Sequence, residues 1–290
     1  MTNSATELVT IYDLHSHTTA SDGLLSPAEL VERAVAMGVN VLAVTDHDTT
    51  DAILPAHEYI NQHDLPLKLI SGVEISTLWQ NMEIHIVGLN IDIQSNAIIE
   101  LLNKQSELRK ERGIEIGRKL AKVGIPDAWA GASRLANGGQ VTRGHFARYL
   151  IEIGREPTVA KIFKKYLAKG KIGYVPPQWC TIEQAIDAIH QSGGQAVIAH
   201  PGRYDLSTKW LKRLIVWFKQ HGGDAMEVAQ CQQAPNERKY LGQLSREYDL
   251  MASLGSDFHQ PCSWIELGRK LWLPGDVVPI WRNWSLIGAA

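Results

Sequence analysis

Cysteine is scarce in this chain: Cys180, Cys231 and Cys262 lie far apart, with no CxxC spacing. That excludes a disulfide framework and fits reduced, buried thiols in a cytoplasmic protein. No apolar run approaches the roughly 18 residues of a membrane span. The N-terminal MTNSATEL is polar and has no hydrophobic signal core, so a soluble, cytosolic protein is expected. Net charge is also nearly absent, −2 with a pI of about 6.6, so charge alone draws the whole chain to neither nucleic acid nor membrane. Internal repeats and low-complexity tracts are missing too. At 290 residues the chain is long enough for one barrel or two smaller domains, each with a substantial core.

What is present is an alternation of strand-like and helix-like segments. VTIYDL precedes Ser26-Pro27-Ala28-Glu29, whose cap, proline and capping-box glutamate predict a helix to Met37, ended by Gly38. VLAVTDH, a helix near Pro55 to His63, and LKLISGVEIS follow. The stretch from Glu74 to Ile91 reads as a hairpin turning at Gln80-Asn81. From about 98 to 123 the spacing of Leu101, Leu102, Leu108 and Leu120 is helical, and short helices continue to about Ala168. Alternation then resumes with GYVPP, a second capping box at Thr181 and Gln184, the strand QAVIAH, AMEVAQ, a helix from Asn236 to Tyr248, ASLGSDFH and a final KLWLP.

Strand-helix units with polar residues closing the strands describe a (β/α) barrel in the α/β class, where side chains from separate strands converge on one face. A doubly wound open sheet is the second choice. The expected division is a barrel segment over 1–98, a helical insertion over 99–172, and the rest of the barrel over 173–290. Charge follows that division: 16 Lys or Arg against 7 Asp or Glu from Ile99 to Ile172, and 13 against 24 elsewhere. The insertion is thus basic and suited to an anionic substrate. Arg109, Arg112, Arg143 and Arg148 are the members whose guanidinium forks suit phosphate.

Nine metal-competent side chains follow or close the apolar runs: His15, His17, Asp22, His47, Glu74, His85, His200, Asp257 and His259. Such groups are costly to bury unpaired, and their repetition predicts a cluster of divalent cations. In His15-Ser16-His17 the period-two alternation of extended chain puts both imidazoles on one side. Asp46 and Asp48 flank His47 and are expected to orient its ring. Arg203, beside His200, adds an anion contact. Histidine and carboxylate donors without thiolates favour a reactive hard or borderline ion over a closed zinc site. Adjacent cations can generate hydroxide from a shared water and neutralise phosphoryl oxygens, so phosphoester hydrolysis by a metal-bound hydroxide is expected. Asp257 and His259 are candidate proton-transfer groups. Phe146, Tyr149 and Trp179 are candidate base-stacking residues, with packing in a core the stronger expectation for each.

DLHSHTTASDG, AVTDHDT, GVEIS, EIHIVG, AHPGRY and GSDFH, in that order, resemble the signatures of the PHP (polymerase and histidinol phosphatase) family. VTRGHFARYL, FKKYLAKGKIGYVPPQWCTIEQAI, AMEVAQCQQ and WIELGRKLWLP extend the resemblance to the bacterial branch containing RNase AM and the 3′,5′-nucleoside bisphosphate phosphatases. The resemblance implies a distorted seven-stranded (β/α) PHP barrel holding three divalent ions, usually Mn2+. It places His15, His17, Glu74 and Asp257 on one ion, Asp22, His47 and His259 on a second, and Glu74, His85 and His200 on the third. It implies phosphate contacts from Arg143 and Arg203; Arg109 and Arg112, in a variable helix, are further candidates. The implied activities are 5′→3′ hydrolysis of 5′-phosphorylated RNA, as in RNA trimming and rRNA 5′-end maturation, and removal of the 3′-phosphate from 3′,5′-nucleoside bisphosphates. RNA and bisphosphates are then the substrates, with no membrane and no obligate protein partner. The rival readings are a histidinol-type small-molecule phosphatase, an amidohydrolase acting on C–N bonds, and a non-catalytic metal-stabilised RNA-binding module.

Overall fold

The computed structural model describes residues 10–284, so MTNSATEL and Val9, where the first strand-like run begins, lie outside it. β1 (Tyr12–Asp13) leads to α1 (Pro27–Ala36), whose first turn is fixed by the Ser26–Glu29 capping box with Pro27 at the first position. β2 (Val41–Val44) and α2 (Ile53–Gln62) follow, then the long pair β3 (Lys68–Trp79) and β4 (Met82–Leu89). Gln80 and Asn81 join that pair at φ of 51° and 61°. Positive φ at both central positions is the two-residue turn whose twist suits an antiparallel hairpin.

Four helices come next: α3 (Asn96–Ala121), α4 (Ala128–Ala136), α5 (Arg143–Glu152) and α6 (Val159–Ile162), the last continuing as a π-helical turn to Leu167. They share a core of Ile116, Leu120, Phe146, Leu150 and Leu167. Close approach of α4 to α3 depends on Gly113, where an added Cβ would stand 2.4 Å from the Trp129 ring. The chain then runs through β5 (Cys180–Thr181), α7 (Ile182–Gln191), β6 (Gln195–Ile198), α8 (Thr208–Gln220), β7 (Ala225–Ala229), α9 (Pro235–Glu247) and β8 (Met251–Leu254).

Seven strands lie in the order β1-β2-β3-β4-β6-β7-β8, with β5 attached to the outer half of β3. Pairing is parallel except where β4 meets β3 and β6. The two ends of this sheet meet beyond β1 and β8, where Asp257 N–H donates to the His15 carbonyl (2.9 Å) and His17 N–H to the Phe258 carbonyl (2.9 Å). The result is a nearly closed α/β barrel, not an open doubly wound sheet. Leu14, Ala43, Ile70, Val87, Val197 and Ala225, one from each of six neighbouring strand segments, fill its interior.

Three details differ from the sequence reading. GYVPP forms no strand, because prolines 176 and 177 carry no amide hydrogen for a ladder; pairing resumes only at Cys180. KLWLP is irregular as well. The amphipathic helix α8, capped by Ser207 and buried through Leu211, Leu214, Ile215 and Phe218, is an element that the strand-based reading passed over.

Candidate metal centre and anion pocket

His15 and His17 leave β1 in extended chain. Between them Ser16 points away and donates its hydroxyl to the Ala43 carbonyl at 2.7 Å. The two Nε2 atoms therefore converge, 3.1 Å apart and fully buried. Glu74 Oε2 lies 3.3 Å from each of them, and Asp257 Oδ1 lies 3.4 and 3.1 Å away. Two ring nitrogens facing each other beside two carboxylates is the signature of a cation-binding pocket.

Glu74 sits at the centre of the wider cluster. Its Oε2 faces His15, His17 and His47 (3.0 Å to Nδ1), and its Oε1 faces His85 and His200, each at 2.9 Å. Glu74 and His85 stand within β3 and β4, not at strand ends: both strands run past the barrel rim and carry their side chains over its mouth. His259 Nε2 meets Asp22 Oδ1 at 3.2 Å, with His47 Nε2 at 3.9 Å. Donor atoms lie within 4.8 Å of one another in three sets: His15, His17, Glu74 and Asp257; His17, Asp22, His47 and His259; and His47, Glu74 and His85. In the third set His47 stands where the sequence reading placed His200, although His200 also reaches Glu74.

Local backbone explains some of this convergence. His200 and Asp257 adopt φ of 31° and 54°, a left-handed conformation unfavourable to side-chain-bearing residues and tolerated where neighbours enforce it. Both follow short strands, and the abrupt turn aims each side chain back over the barrel.

Glu227, in the middle of AMEVA, is a site residue that the sequence reading missed. Its Oε1 accepts from His15 Nδ1 at 2.5 Å, and its Oε2 accepts from His200 N–H (2.7 Å) and Gln230 Nε2 (2.9 Å). The only signal was a carboxylate inside an otherwise apolar strand. Holding the proton on His15 Nδ1 leaves Nε2 with its lone pair toward the cluster. His259 is set the same way, by its Nδ1–H donating to the Asp257 carbonyl at 3.0 Å.

The flanking carboxylates of His47 do not orient its ring. Asp46 accepts instead from the Thr18 and Ser21 hydroxyls, and Asp48 accepts from Ser76 N–H, Gln105 and Arg109. Asp48 stands in a left-handed turn, at φ of 51°, and its carboxylate meets β3 and α3 instead of the ring.

Without a cation the charges are out of balance. Burial opposes protonation of His17, yet Asp257 and Glu74 hold its pKa up at about 10. Burial drives His47 down to about 3. Asp22 Oδ1, His47 Nδ1 and His200 Nδ1 are buried without a hydrogen-bond partner. Oxygen and imidazole donors, oppositely perturbed and partly unsatisfied, fit divalent cations and need no thiolate.

Beside the cluster lies a cavity of about 170 Å³ walled by Asp22, His47, His85, Arg109, Arg112 and Arg143. Arg109 is buried and ion-paired with Asp48; Arg112 and Arg143 share Glu83, at 3.5 and 3.0 Å. Both arginines press the Glu83 pKa down to about 2 against the effect of burial. Arg109 Nε and one Arg112 terminal nitrogen remain buried and unpartnered. Arg203 is elsewhere, ion-paired with Asp257 and two-fifths exposed. Arg148 donates to the Asp22 carbonyl at 2.9 Å. Phe146 is fully buried, and Trp179 packs under Arg109 and Arg112 while donating to Glu83, so neither presents a face for a base. Tyr149 packs against the helical core.

A family model described as the PHP domain matches residues 13–171. The chain is 66% identical over 282 residues to the 5′-3′ exoribonuclease Rnm of Salmonella typhimurium, covering 97% of this chain and 96% of that protein. It is 39% identical to a 3′,5′-nucleoside bisphosphate phosphatase of Chromobacterium violaceum, covering 93% and 95%. Among solved structures, an amidohydrolase from Chromobacterium violaceum with bound sulfate and no metal aligns with a TM-score of 0.88 at 38% identity, covering 94% and 95%. A Bifidobacterium adolescentis protein assigned as a metal-dependent phosphoesterase aligns at 0.77 and 25% identity, covering 94% of each chain.

Proposed function

The chain belongs to the PHP domain family, and on that premise we propose that it is a metal-dependent phosphoesterase that shortens 5′-phosphorylated RNA from its 5′ end. The same site would remove the 3′-phosphate of 3′,5′-nucleoside bisphosphates. One observation carries this reading: a cation cluster and an arginine-walled cavity share a wall, with Asp22, His47 and His85 belonging to both.

The assignment of ligands is the one the family resemblance implies, and the convergence of these donor atoms on Glu74 supports it. His15, His17, Glu74 and Asp257 would hold one ion, Asp22, His47 and His259 a second, and Glu74, His85 and His200 a third, with Glu74 shared; manganese is our choice of ion. Bound cations supply a water-derived nucleophile near neutral pH and offset charge on the phosphoryl oxygens. Arg109 and Arg112 would grip the terminal 5′ phosphate through donors that the protein leaves free, joined by Arg143 from the same cavity wall. Arg203, beside Asp257, meets the phosphate under attack. His259 and Asp257 would serve as ligands first, so a proton-transfer role for either would compete with holding a cation. Residues 99–172 act in this scheme as an insertion that brings the arginines to the barrel mouth.

The test uses manganese-loaded protein and RNA labelled at its 3′ end. Stepwise shortening of the 5′-phosphorylated strand, loss of that preference in Arg143→Ala, and no cleavage by Asp257→Ala are expected. Equal cleavage of 5′-phosphate and 5′-hydroxyl strands by the wild type would remove the arginine cavity from the reading.

A further inference from the structure

A second surface opens on the β7 and β8 side of the barrel. It is a groove of about 770 Å³ between the segments after β7 and β8, lined by Gln232, Arg238, Trp264, Arg269, Lys270 and Trp272 among others. Trp264 and Trp272 are 64% and 52% exposed, large apolar area to leave in water without a use. The Arg238 guanidinium lies 4.4 Å from the Trp272 ring, holding that indole in place. Arg269 donates to the Ser263 carbonyl, and neither it nor Lys270 pairs with a carboxylate among the described residues. Exposed indoles interleaved with cations are what a single-stranded nucleic acid stacks and neutralises on.

Position adds direction. The arginine cavity is walled from the loop after β1, from β2, β3 and β4 and from the helices after β4, whereas the groove belongs to the segments after β7 and β8, so the two draw on different strands of the ring. The cation cluster shares Asp22, His47 and His85 with the cavity. On the groove side it is linked through His15, Glu227, Gln230 and Arg238, the last donating to the Gln230 carbonyl at 2.9 Å. The Arg203 loop rests on the first turn of α9, where a Cβ on Gly202 would collide with the Glu237 carboxylate.

We propose that this groove carries the 3′-ward body of an RNA substrate whose 5′ phosphate occupies the arginine cavity and whose first internal ester lies at the cluster. The inference rests on the exoribonuclease reading and extends it. A mononucleotide ends before the groove, so the groove serves RNA and not bisphosphates.

Two measurements test it. Trp264→Ala combined with Trp272→Ala should lower kcat/KM for a 5′-phosphorylated RNA of a dozen nucleotides by about tenfold or more. Turnover of adenosine 3′,5′-bisphosphate should stay within about twofold, and each phosphate-contacting cation removed in Arg269→Gln or Lys270→Gln should reduce the salt slope for RNA by about 0.7. As a control, Lys209→Glu with Arg213→Glu alters the basic, tryptophan-lined groove along α8 and should leave RNA turnover unchanged. Unchanged RNA kinetics in the double alanine variant, or equal losses on RNA and bisphosphate, would overturn the proposal; so would a loss that follows the α8 variant instead. The second measurement is anisotropy of the same RNA, fluorescently labelled at its 3′ end, binding to chelator-treated protein, where no cleavage occurs. It decides the groove even if wild-type protein hydrolyses the bisphosphate but shortens no RNA, an outcome that sinks the exoribonuclease reading alone. Weaker binding by about tenfold in the double alanine variant supports the groove, and equal binding removes it.

Discussion

Glu227→Gln exchanges one carboxylate oxygen for an NH2 group and should cost the cluster a ligand. The wild-type carboxylate accepts on both sides, from His15 Nδ1–H through one oxygen and from His200 N–H and Gln230 through the other. An amide has a single accepting oxygen. Two donors lie on one side and one on the other, so the oxygen stays with His200 and Gln230 and the NH2 group turns to His15. The ring then shifts its proton to Nε2, which removes the lone pair that faces Glu74 and Asp257. Loss of such a supporting partner weakens metal binding by about 10–100-fold, or about 1.4–2.7 kcal/mol. Isothermal titration with manganese reads the affinity, and thermal unfolding with and without manganese separates it from general damage. The expected pattern is a smaller metal-induced rise in Tm, because stabilisation follows the logarithm of ligand concentration over Kd. If the variant loses stability equally with and without metal while binding manganese as the wild type does, Glu227 is only a packing element and the tautomer argument fails.

Glu74→Gln removes the carboxylate shared by five imidazoles, and bisphosphate turnover should fall by at least about a thousandfold, as single catalytic groups of comparable centrality do; retention of a tenth of the activity would contradict its central place. His145, on α5, offers a pH prediction. Burial lowers its pKa to about 4, and the neutral ring accepts from Thr142 N–H at 3.0 Å to close the capping box of α5. The folded value lies below the unfolded one of roughly 6.5, so the unfolded chain takes the proton first. Stability from this group is complete above about pH 6.5 and is lost as pH falls towards 4, by about 3 kcal/mol in all. His145→Gln keeps the box and cannot titrate, so the stability difference between wild type and variant should shrink by that amount on acidification; a pH-independent difference would refute it.

The parts of this molecule written in local sequence were legible. Ser26 with Glu29 and Thr181 with Gln184 announce helix starts by chemistry confined to four residues, and both boxes form. Gln80-Asn81 marks a turn because its neighbours alternate and its residues tolerate positive φ. His15 and His17 show their common side through period two alone. Partnerships across the barrel were not legible. Nothing near Asp48 in sequence reveals that its carboxylate takes Arg109, 61 positions away, instead of the ring of His47. Glu227 was hidden because a buried glutamate in a strand is distinguished from an error of pattern only by what stands opposite it. GYVPP misled because its apolar residues satisfy the strand template while its prolines deny the hydrogen bonds.

The Asp48 carboxylate has a mechanical consequence. It grips Arg109 on α3 and the Ser76 amide on β3 while standing one residue from His47. Cavity and cation cluster are thereby clamped to a single peptide, and the gap between them cannot breathe without breaking a buried ion pair. A fixed gap acts as a ruler. On the proposed reading it admits one phosphate-to-phosphate interval, so each cut releases one nucleotide, and cleavage at the second ester would require the ruler itself to stretch.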